Sequence, residues 1–334
     1  MTTIRVTLSG VGGVGTNLVR ISRERPGIKV VGAYSRNQAL VDRDLGEIAG
    51  GETIGVRVEP KETALAVDSD VLLIATTSFL KEVESDIHSG IDAGLNVMCT
   101  AEEMASPYDI DADIARSIDE HAREAGVTVL GAGANPGYIY EVVGLALTGA
   151  VWRVDQIRVQ RVVDLSGFSA GVLRRLGIGF DEGSFRQKVT AHEIYGHIGF
   201  PHTMRSFARR FGVELERVEE TIEPTLTEGP ITEFTVEVAP GQSAGFIQRT
   251  TGIVGGHPWF TAEFVGHIDL SSVGLAPRDS YEIDGLPNMR GVVEPGFNPQ
   301  FTTIGALANF LPHLVGAPAG LISVTDLPIP SPWV

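Results

Sequence analysis

The feature that most narrows what this chain can fold into stands at its start. A short apolar run, Ile4–Leu8, passes through Ser9 into Gly10-Val11-Gly12-Gly13-Val14-Gly15, and an amphipathic helical pattern follows over Val14–Arg23. The spacing G-x-G-x-x-G falls on Gly10, Gly12 and Gly15. Each glycine has its own steric reason in a strand–turn–helix. The first allows the tight turn, the second lets the backbone approach a pyrophosphate, and the third brings helix and strand close. A phosphate then rests on the free N–H groups of the helix start. Gly10, Gly12, Gly13, Val14 and Gly15 are therefore candidate cofactor-binding residues. A structural turn would use the same glycines, but the strand before and the helix after are the context a dinucleotide fingerprint requires.

The pattern continues as an α/β alternation to about residue 150. Expected strands are Ile4–Leu8, Lys29–Ala33, Gly55–Val58, Val71–Ala75, Asn96–Cys99 and Thr128–Leu130. Several are continuously apolar, as strands buried on both faces should be. Helical patterns at Val14–Arg23, Val83–Ala93 and Ile110–Ala125 lie between them, two of them closed by Gly94 and Gly126. This is doubly wound topology, a Rossmann-type domain. From about Trp152 the texture changes to alternating strands, Gln156–Val162, Phe234–Val238, Ala244–Thr250 and Phe260–Val265, separated by turn residues. A second α+β domain on a mostly antiparallel sheet is expected. A helical pattern returns near Thr302 and is assigned back to the first domain. The expected division is thus 1–150 plus about 298–334 for dinucleotide binding, and 151–297 for substrate binding and dimerisation.

Composition removes several function classes. The 334 residues carry a formal charge of −16, which opposes a nucleic-acid surface built on clustered Lys and Arg. The apolar stretch Leu311–Val324 is broken by Pro312, Gly316, Pro318 and Gly320, well short of the ~20 residues that span a bilayer. No signal-peptide pattern is seen at Met1–Val6, and a single cysteine, Cys99, supports neither an internal disulfide nor a thiolate cluster. A cytoplasmic place is the default expectation. Cys99 itself reads as a core thiol. His192-Glu193-Ile194-Tyr195-Gly196-His197 has its histidines five apart, where H-E-x-x-H needs four to share a helical face, so no metal site is expected. No serine stands in a G-x-S-x-G elbow.

At the end of the second strand an NAD-selective site would place Asp or Glu; here the chain reads Tyr34-Ser35-Arg36-Asn37. Ser35 and Arg36 suit a 2′-phosphate, so NADP(H) is the expected cofactor, with NAD(H) accepted as a second possibility. A solvated surface arginine is the bland alternative. Thr76-Thr77-Ser78 follow Val71–Ala75 at the edge where ligands of open α/β sheets sit. Asn96–Cys99 delivers Thr100-Ala101-Glu102-Glu103 to the same edge. These acids would suit a solvated helix start. They would equally suit a carboxylate that binds ammonium, takes its proton and holds a cationic amine or iminium.

The glycine turn and the Cys99–Glu103 run are joined by three further motifs: Gly133-Ala134-Asn135-Pro136-Gly137-Tyr138, Gly196-His197-Ile198-Gly199-Phe200-Pro201, and a tail from Pro318-Ala319-Gly320-Leu321 to Asp326-Leu327-Pro328. The combination resembles the 2,4-diaminopentanoate dehydrogenase and native amine dehydrogenase family, related in fold to dihydrodipicolinate reductase, over almost the whole chain. The resemblance implies a glutamate contacting the substrate amine, carried to Glu103 first and Glu102 second. It implies that Asn135 and Pro136 meet the nicotinamide end of the cofactor, and that Tyr138, Phe168, Leu176 and His197 are pocket residues. A Gly-Asn-Pro turn and a packing histidine are the plain alternatives.

The His-His pair and the Lys-x-Asp-Ala-Pro-Ser-Gly-Thr segment of dihydrodipicolinate reductases are missing, and acids stand where homoserine dehydrogenases carry Asn-Lys. The leading expectation is an NAD(P)-dependent amine dehydrogenase that reductively aminates a small ketone or aldehyde with ammonia and runs the reverse deamination. The alternatives are a 2,4-diaminopentanoate dehydrogenase proper, a reductase of the same fold with another substrate, and a non-catalytic dinucleotide sensor. The diamino acid would need an anion partner, for which Arg161, Arg174 and Arg175 are available. A homodimer is expected from the second domain's sheet.

Overall fold

The structure, a computed structural model, describes residues 3–333. They group into two compact units, one running through Val143 and resuming at Asn298, the other Gly144–Phe297.

In the first unit six strands form one wholly parallel sheet: β1 (Ile4–Ser9), β2 (Ile28–Tyr34), β3 (Val71–Ile74), β4 (Asn96–Cys99), β5 (Thr128–Gly131) and β12 (Gly320–Ser323), in the order β12-β5-β4-β3-β1-β2. Every residue of β3 and β5 is buried, because helices cover both faces. Alternate residues go to opposite sides. Val71 and Leu73 join the cluster of Leu18, Val19, Phe310 and Leu314, while Leu72 and Ile74 join that of Leu80, Val83, Ile87 and Ile118. The helix Ala112–Ala125 begins on Asp111, whose carboxylate accepts from the N–H groups of Asp113 and Ile114 at 3.1 Å, and stops at Gly126, φ +73°. The closing helix, Pro299–Val315, packs in this unit's core through Ile304, Leu307, Phe310, Leu311 and Leu314.

One expected strand is absent from this sheet. Gly55–Val58 forms only isolated bridges, Ala33 to Val58 and Asp44 to Arg57. The reason is local competition for the backbone. Asp44 accepts from the N–H groups of Gly46, Ile54 and Gly55 at 2.7, 3.0 and 2.9 Å, Gly55 has φ +75°, and Pro60 follows.

The second unit carries a mixed sheet of β6 (Arg153–Asp164), β7 (Arg217–Leu226), β8 (Ser243–Val254), β9 (His257–His267), β10 (Arg278–Leu286) and β11 (Met289–Val293), ordered β11-β10-β6-β9-β8-β7. Only β6 and β9 pair in parallel; the other neighbours are antiparallel. Gly255 and Gly256, both at positive φ, make the tight β8–β9 turn. On one face the helix Phe200–Phe211 lays Phe207 edge-on against Phe260 at 4.9 Å. The other face is polar, with Arg158, Gln160, Arg249, Glu263, Ser280 and Glu282 around a shallow cavity of about 330 Å³. The expected strand Phe234–Val238 is also absent. A single bridge joins Ile231 to Val238, whose N–H groups each donate to the other's carbonyl at 2.9 Å, so the segment closes on itself as a loop instead of joining the sheet. No helix among the described residues is long and apolar enough to cross a membrane.

Candidate active site

The chain turns back on itself at β1: β2 lies on one side and β3 on the other, so the carboxyl end of β1 is the switch point where open α/β sheets bind ligands. The glycine turn occupies it. Gly10 has φ +96°, and a Cβ there would meet Ala75 O at 2.6 Å and Thr76 Cγ2 at 2.9 Å. A Cβ on Gly15 would meet Gly10 O at 2.5 Å. These two glycines are demanded by packing within the chain. Gly12 and Gly13 differ, because a Cβ on either meets nothing within 4 Å. They border open space at the start of the helix Gly13–Glu24, which has no capping side chain and no acid in its first turn. Unscreened N–H groups, a positive dipole end and a floor without side chains fit a pyrophosphate. Val14 instead turns into the apolar cluster around Leu18.

Beside the turn is a cavity of about 410 Å³ lined by Gly10, Tyr34, Ser35, Arg36 and Thr76, among others. Three expected cofactor residues, Ser35, Arg36 and Thr76, thus share one space with the turn. Ser35 Oγ accepts from the N–H of Asn37 at 3.1 Å, and Arg36 is exposed. Thr77, half-buried, follows Thr76 on the way to Ser78.

The acidic pair forms the first turn of a short helix, Glu102–Ala105, after β4. Its two members do different work. Glu103 Oε2 accepts from the N–H of Leu80 at 2.7 Å, so its carboxylate caps the helix Leu80–Asp92, whose own cap residue, Phe79, offers none. The Glu103 N–H donates in turn to Ser78 O at 3.1 Å. Glu102 Oε1 accepts from Ser78 Oγ at 3.2 Å, and Glu102 Oε2 is shielded from solvent. Gly131 seats this short helix against β5: a Cβ there would stand 2.6 Å from Met104 C, with Met104 O closer still. Cys99, at the end of β4, is fully buried, and burial pushes its thiol up to about 12.

After β5 the chain makes a sharp turn through Asn135, Pro136 and Gly137, with a cis Asn135–Pro136 peptide and Gly137 at φ +136°. Both amide atoms of Asn135 are buried without a hydrogen-bond partner, which fits an incoming carboxamide that offers one donor and one acceptor. The turn is fixed from below, where Glu141 Oε2 accepts from the N–H of Gly137 at 2.7 Å. Tyr138 packs partly into the first unit's core.

Phe168, Leu176 and His197 belong to the second unit. Phe168 closes a turn on Leu165 O after β6, and Leu176 ends the helix Ala170–Arg175. His197 is rigidly held. Its N–H donates to Gln248 Oε1 at 2.6 Å, its carbonyl accepts from Gln248 Nε2 at 2.9 Å, and its ring stacks on Phe200 at 4.9 Å. Nδ1 accepts from the N–H of Gly199 at 3.0 Å, which leaves the proton of the neutral ring on Nε2. Arg161 is already committed: it is buried, with Nε 2.8 Å from Asp279 Oδ1 and Nη2 donating to Phe297 O at 3.0 Å. Burial raises the Asp279 carboxyl above its ordinary value.

Sequence reasoning missed Ser78 as a hydrogen-bond partner, Gly131, Glu141, Lys61 and Asp86. Except for Glu141, which bonds the N–H of Gly137 four residues earlier in a turn that no helical spacing announces, their partners lie far along the chain, so no local spacing marks them.

Residues 138–334 match the family model described as 2,4-diaminopentanoate dehydrogenase C-terminal domain, and residues 4–92 match that of the dihydrodipicolinate reductase N-terminus. The chain is 29% identical over 334 residues to a 2,4-diaminopentanoate dehydrogenase of Acetoanaerobium sticklandii, covering 99% of this chain and 95% of that protein. It is 24% identical to an amine dehydrogenase of Streptomyces virginiae, covering 98% and 96%. Among solved structures, an amine dehydrogenase from Mycobacterium smegmatis superposes with a TM-score of 0.84 at 23% identity, covering 97% and 96% of the two chains.

Proposed function

The chain belongs to the 2,4-diaminopentanoate dehydrogenase family, and from that premise we propose that it is an NAD(P)-dependent amine dehydrogenase, reductively aminating a small ketone or aldehyde with ammonia and deaminating the amine in reverse. The observation that carries the reading is the unequal treatment of the acidic pair. Glu103 caps a helix through the Leu80 N–H, whereas Glu102 is oriented through Ser78 Oγ at the ligand edge of the sheet.

A bound nicotinamide supplies the hydride in one direction and accepts it in the other. The protein's part is positional and electrostatic. Gly12, Gly13 and the helix start hold the pyrophosphate, and Asn135 orients the carboxamide. Glu102 takes a proton from ammonium, ammonia adds to the carbonyl to give the carbinolamine, and the Glu102 acid returns that proton to the carbinolamine hydroxyl, which leaves as water; the regenerated carboxylate then faces the iminium cation until it is reduced. Ser78 keeps one oxygen of Glu102 in place, so the carboxylate need not reorganise as charge develops. Pocket walls at Tyr138, Phe168, Leu176 and His197 belong to this proposal, as the resemblance implies.

NADP(H) is the proposed preference, with Ser35 and Arg36 taking the 2′-phosphate. Arg36→Ala is expected to raise the KM for NADPH by about tenfold or more while changing that for NADH little. We also assign the polar face of the second sheet, with its interleaved Arg158, Arg249, Glu263 and Glu282, to pairing with a second copy, checked by light scattering at raised salt. A cytoplasmic place goes with a chain whose only cysteine is buried.

The decisive assay follows NADPH with cyclohexanone or a short aldehyde, with and without ammonium. Oxidation that does not depend on ammonium rules the amine reading out. The second reading, 2,4-diaminopentanoate oxidation, is favoured by the similarity over almost the full length to that enzyme. A strong preference for 2-amino-4-oxopentanoate over simple ketones in the same assay would select it. Arg161 cannot serve that carboxylate, since Asp279 holds it, which leaves Arg174 and Arg175.

A further inference from the structure

The cavity beside the glycine turn has two chemically different walls. One is the lip of Ser35 and Arg36 after β2. The other comes from the helix Leu80–Asp92, which turns Glu82, Ser85 and Asp86 to the same space, with Lys61 there as well. Asp86 is the fixed point of that wall. Its side chain is only 14% exposed, Oδ1 lies 2.6 Å from Lys61 Nζ, and Oδ2 accepts from Ser9 Oγ at 3.2 Å. Lys61 Nζ stands 5.8 Å from the centre of the Tyr34 ring. Tyr34 is 6% exposed, and its hydroxyl is buried on this cavity without a hydrogen bond of normal geometry.

A phosphate is poorly served by the inner wall, because Glu59, Glu82 and Asp86 all line the space and repel it. A flat neutral heterocycle with an N–H donor next to a ring-nitrogen acceptor is well served. Each carboxylate oxygen of Asp86 keeps a second lone pair, Lys61 brings three donors, and the Tyr34 hydroxyl can give or accept. The volume of about 410 Å³ lies in the range of small-molecule sites, roughly 300–1,000 Å³. Resting on the reading that the glycine turn binds a nicotinamide dinucleotide, we infer that Asp86, set by Lys61 and Ser9, reads the exocyclic amino group of the cofactor's adenine, while Ser35 and Arg36 meet the ribose 2′ substituent. The base is then selected by hydrogen bonding and not merely sandwiched.

A site built to accept a hydrogen bond from N–H rejects an analogue that presents a carbonyl oxygen there, since a half-buried carboxylate then faces a lone pair. The test is equilibrium binding to the purified enzyme, read by nucleotide fluorescence, with NADPH, NADH and reduced nicotinamide hypoxanthine dinucleotide, in which a carbonyl replaces the adenine amine. The hypoxanthine form is expected to bind about tenfold or more weakly than NADH. In Asp86→Asn, whose amide can donate to that carbonyl, the ratio falls to within about twofold; a variant with merely disturbed packing would weaken both nucleotides alike and keep the ratio. Equal binding of NADH and its hypoxanthine analogue by the wild-type enzyme overturns the inference without any variant. A ratio that survives Asp86→Asn overturns the assignment to Asp86. Failure of all three nucleotides to bind overturns the dinucleotide reading beneath it, which the other outcomes leave standing.

Discussion

Glu102→Gln and Glu103→Gln are nearly the same change at adjacent positions, yet the geometry demands opposite phenotypes. Glu103 Oε2 accepts the Leu80 N–H at 2.7 Å. Glutamine keeps an oxygen for that N–H but removes its charge. A neutral hydrogen bond is worth about 1 kcal/mol net, a charge-assisted one about twice that, and an anion at a helix start adds ~0.3–1 kcal/mol. Glu103→Gln should therefore cost about 1–2 kcal/mol, or a melting temperature lower by about 2–8 °C for a unit of this size. Glu102 Oε1 accepts from the Ser78 hydroxyl, and an amide oxygen preserves that bond. Its substitution should move stability by less than about 0.5 kcal/mol. It removes the proton acceptor, however, so ammonium-dependent kcat should fall by ~10²–10⁴-fold. Circular-dichroism melts and NADPH oxidation measured on the same preparations separate the two. If Glu103→Gln melts like wild type but loses the rate, while Glu102→Gln melts lower and keeps it, the roles are reversed. If both variants turn over at full rate, no carboxylate of this pair acts on the amine.

Gly131→Ala should push Met104 and the short helix behind it away from β5, lowering kcat with a smaller change in the KM for NADPH; an unchanged kcat would show that the acidic pair tolerates the shift. Arg161→Met leaves Asp279, 1% exposed, without its cation and should cost about 3–5 kcal/mol in urea unfolding, most of it recovered in Arg161→Met/Asp279→Leu. A loss under about 1 kcal/mol in the single variant would contradict a buried pair. Burial holds His267 below its ordinary value, and Nδ1 already accepts from the Asp269 N–H at 2.9 Å. The unfolded chain therefore takes up a proton near about pH 6.5 that the folded chain refuses, so stability is intact above about pH 6.5 and declines as pH falls below it. His267→Gln should flatten that limb of the urea midpoint curve, and an unaltered limb would place the titration elsewhere.

The parallel sheet was legible because its strands are buried on both faces and read as unbroken apolar runs between amphipathic helices. The second sheet was legible only where one face is apolar. β7 buries Ile222 alone among its ten residues and carries Glu219, Glu220 and Glu223, so it looks like a solvated segment. β10 does alternate, burying Asp279, Tyr281 and Ile283, but its first inward residue is a carboxylate. That residue makes sense only once Arg161 is known to be its register partner on β6. Conversely, Gly55–Val58 has strand-like composition, and Asp44 takes its neighbouring N–H groups away from any ladder.

The same distinction governs the site. Gly10, Gly12 and Gly15 could be read because the whole constraint lies within one turn and the helix it opens. The acidic pair could be placed at the ligand edge by counting strands, but not divided into a cap and a proposed reactant, because the dividing groups, Ser78 and the Leu80 N–H, lie 24 and 23 residues earlier. Asp86 is harder still. On the sequence it is one polar residue among many on an amphipathic helix, and such residues normally face water. Its meaning comes from three elements that only folding assembles: Ser9 at the end of β1, Lys61 at the start of another helix, and Tyr34 at the end of β2. A motif records what the backbone of one turn must do, whereas selectivity is set by side chains whose partners come from other strands. On the proposed function, the chemistry of this sheet edge is therefore divided between a legible phosphate cradle and a substrate and base specificity that would reside in long-range pairs.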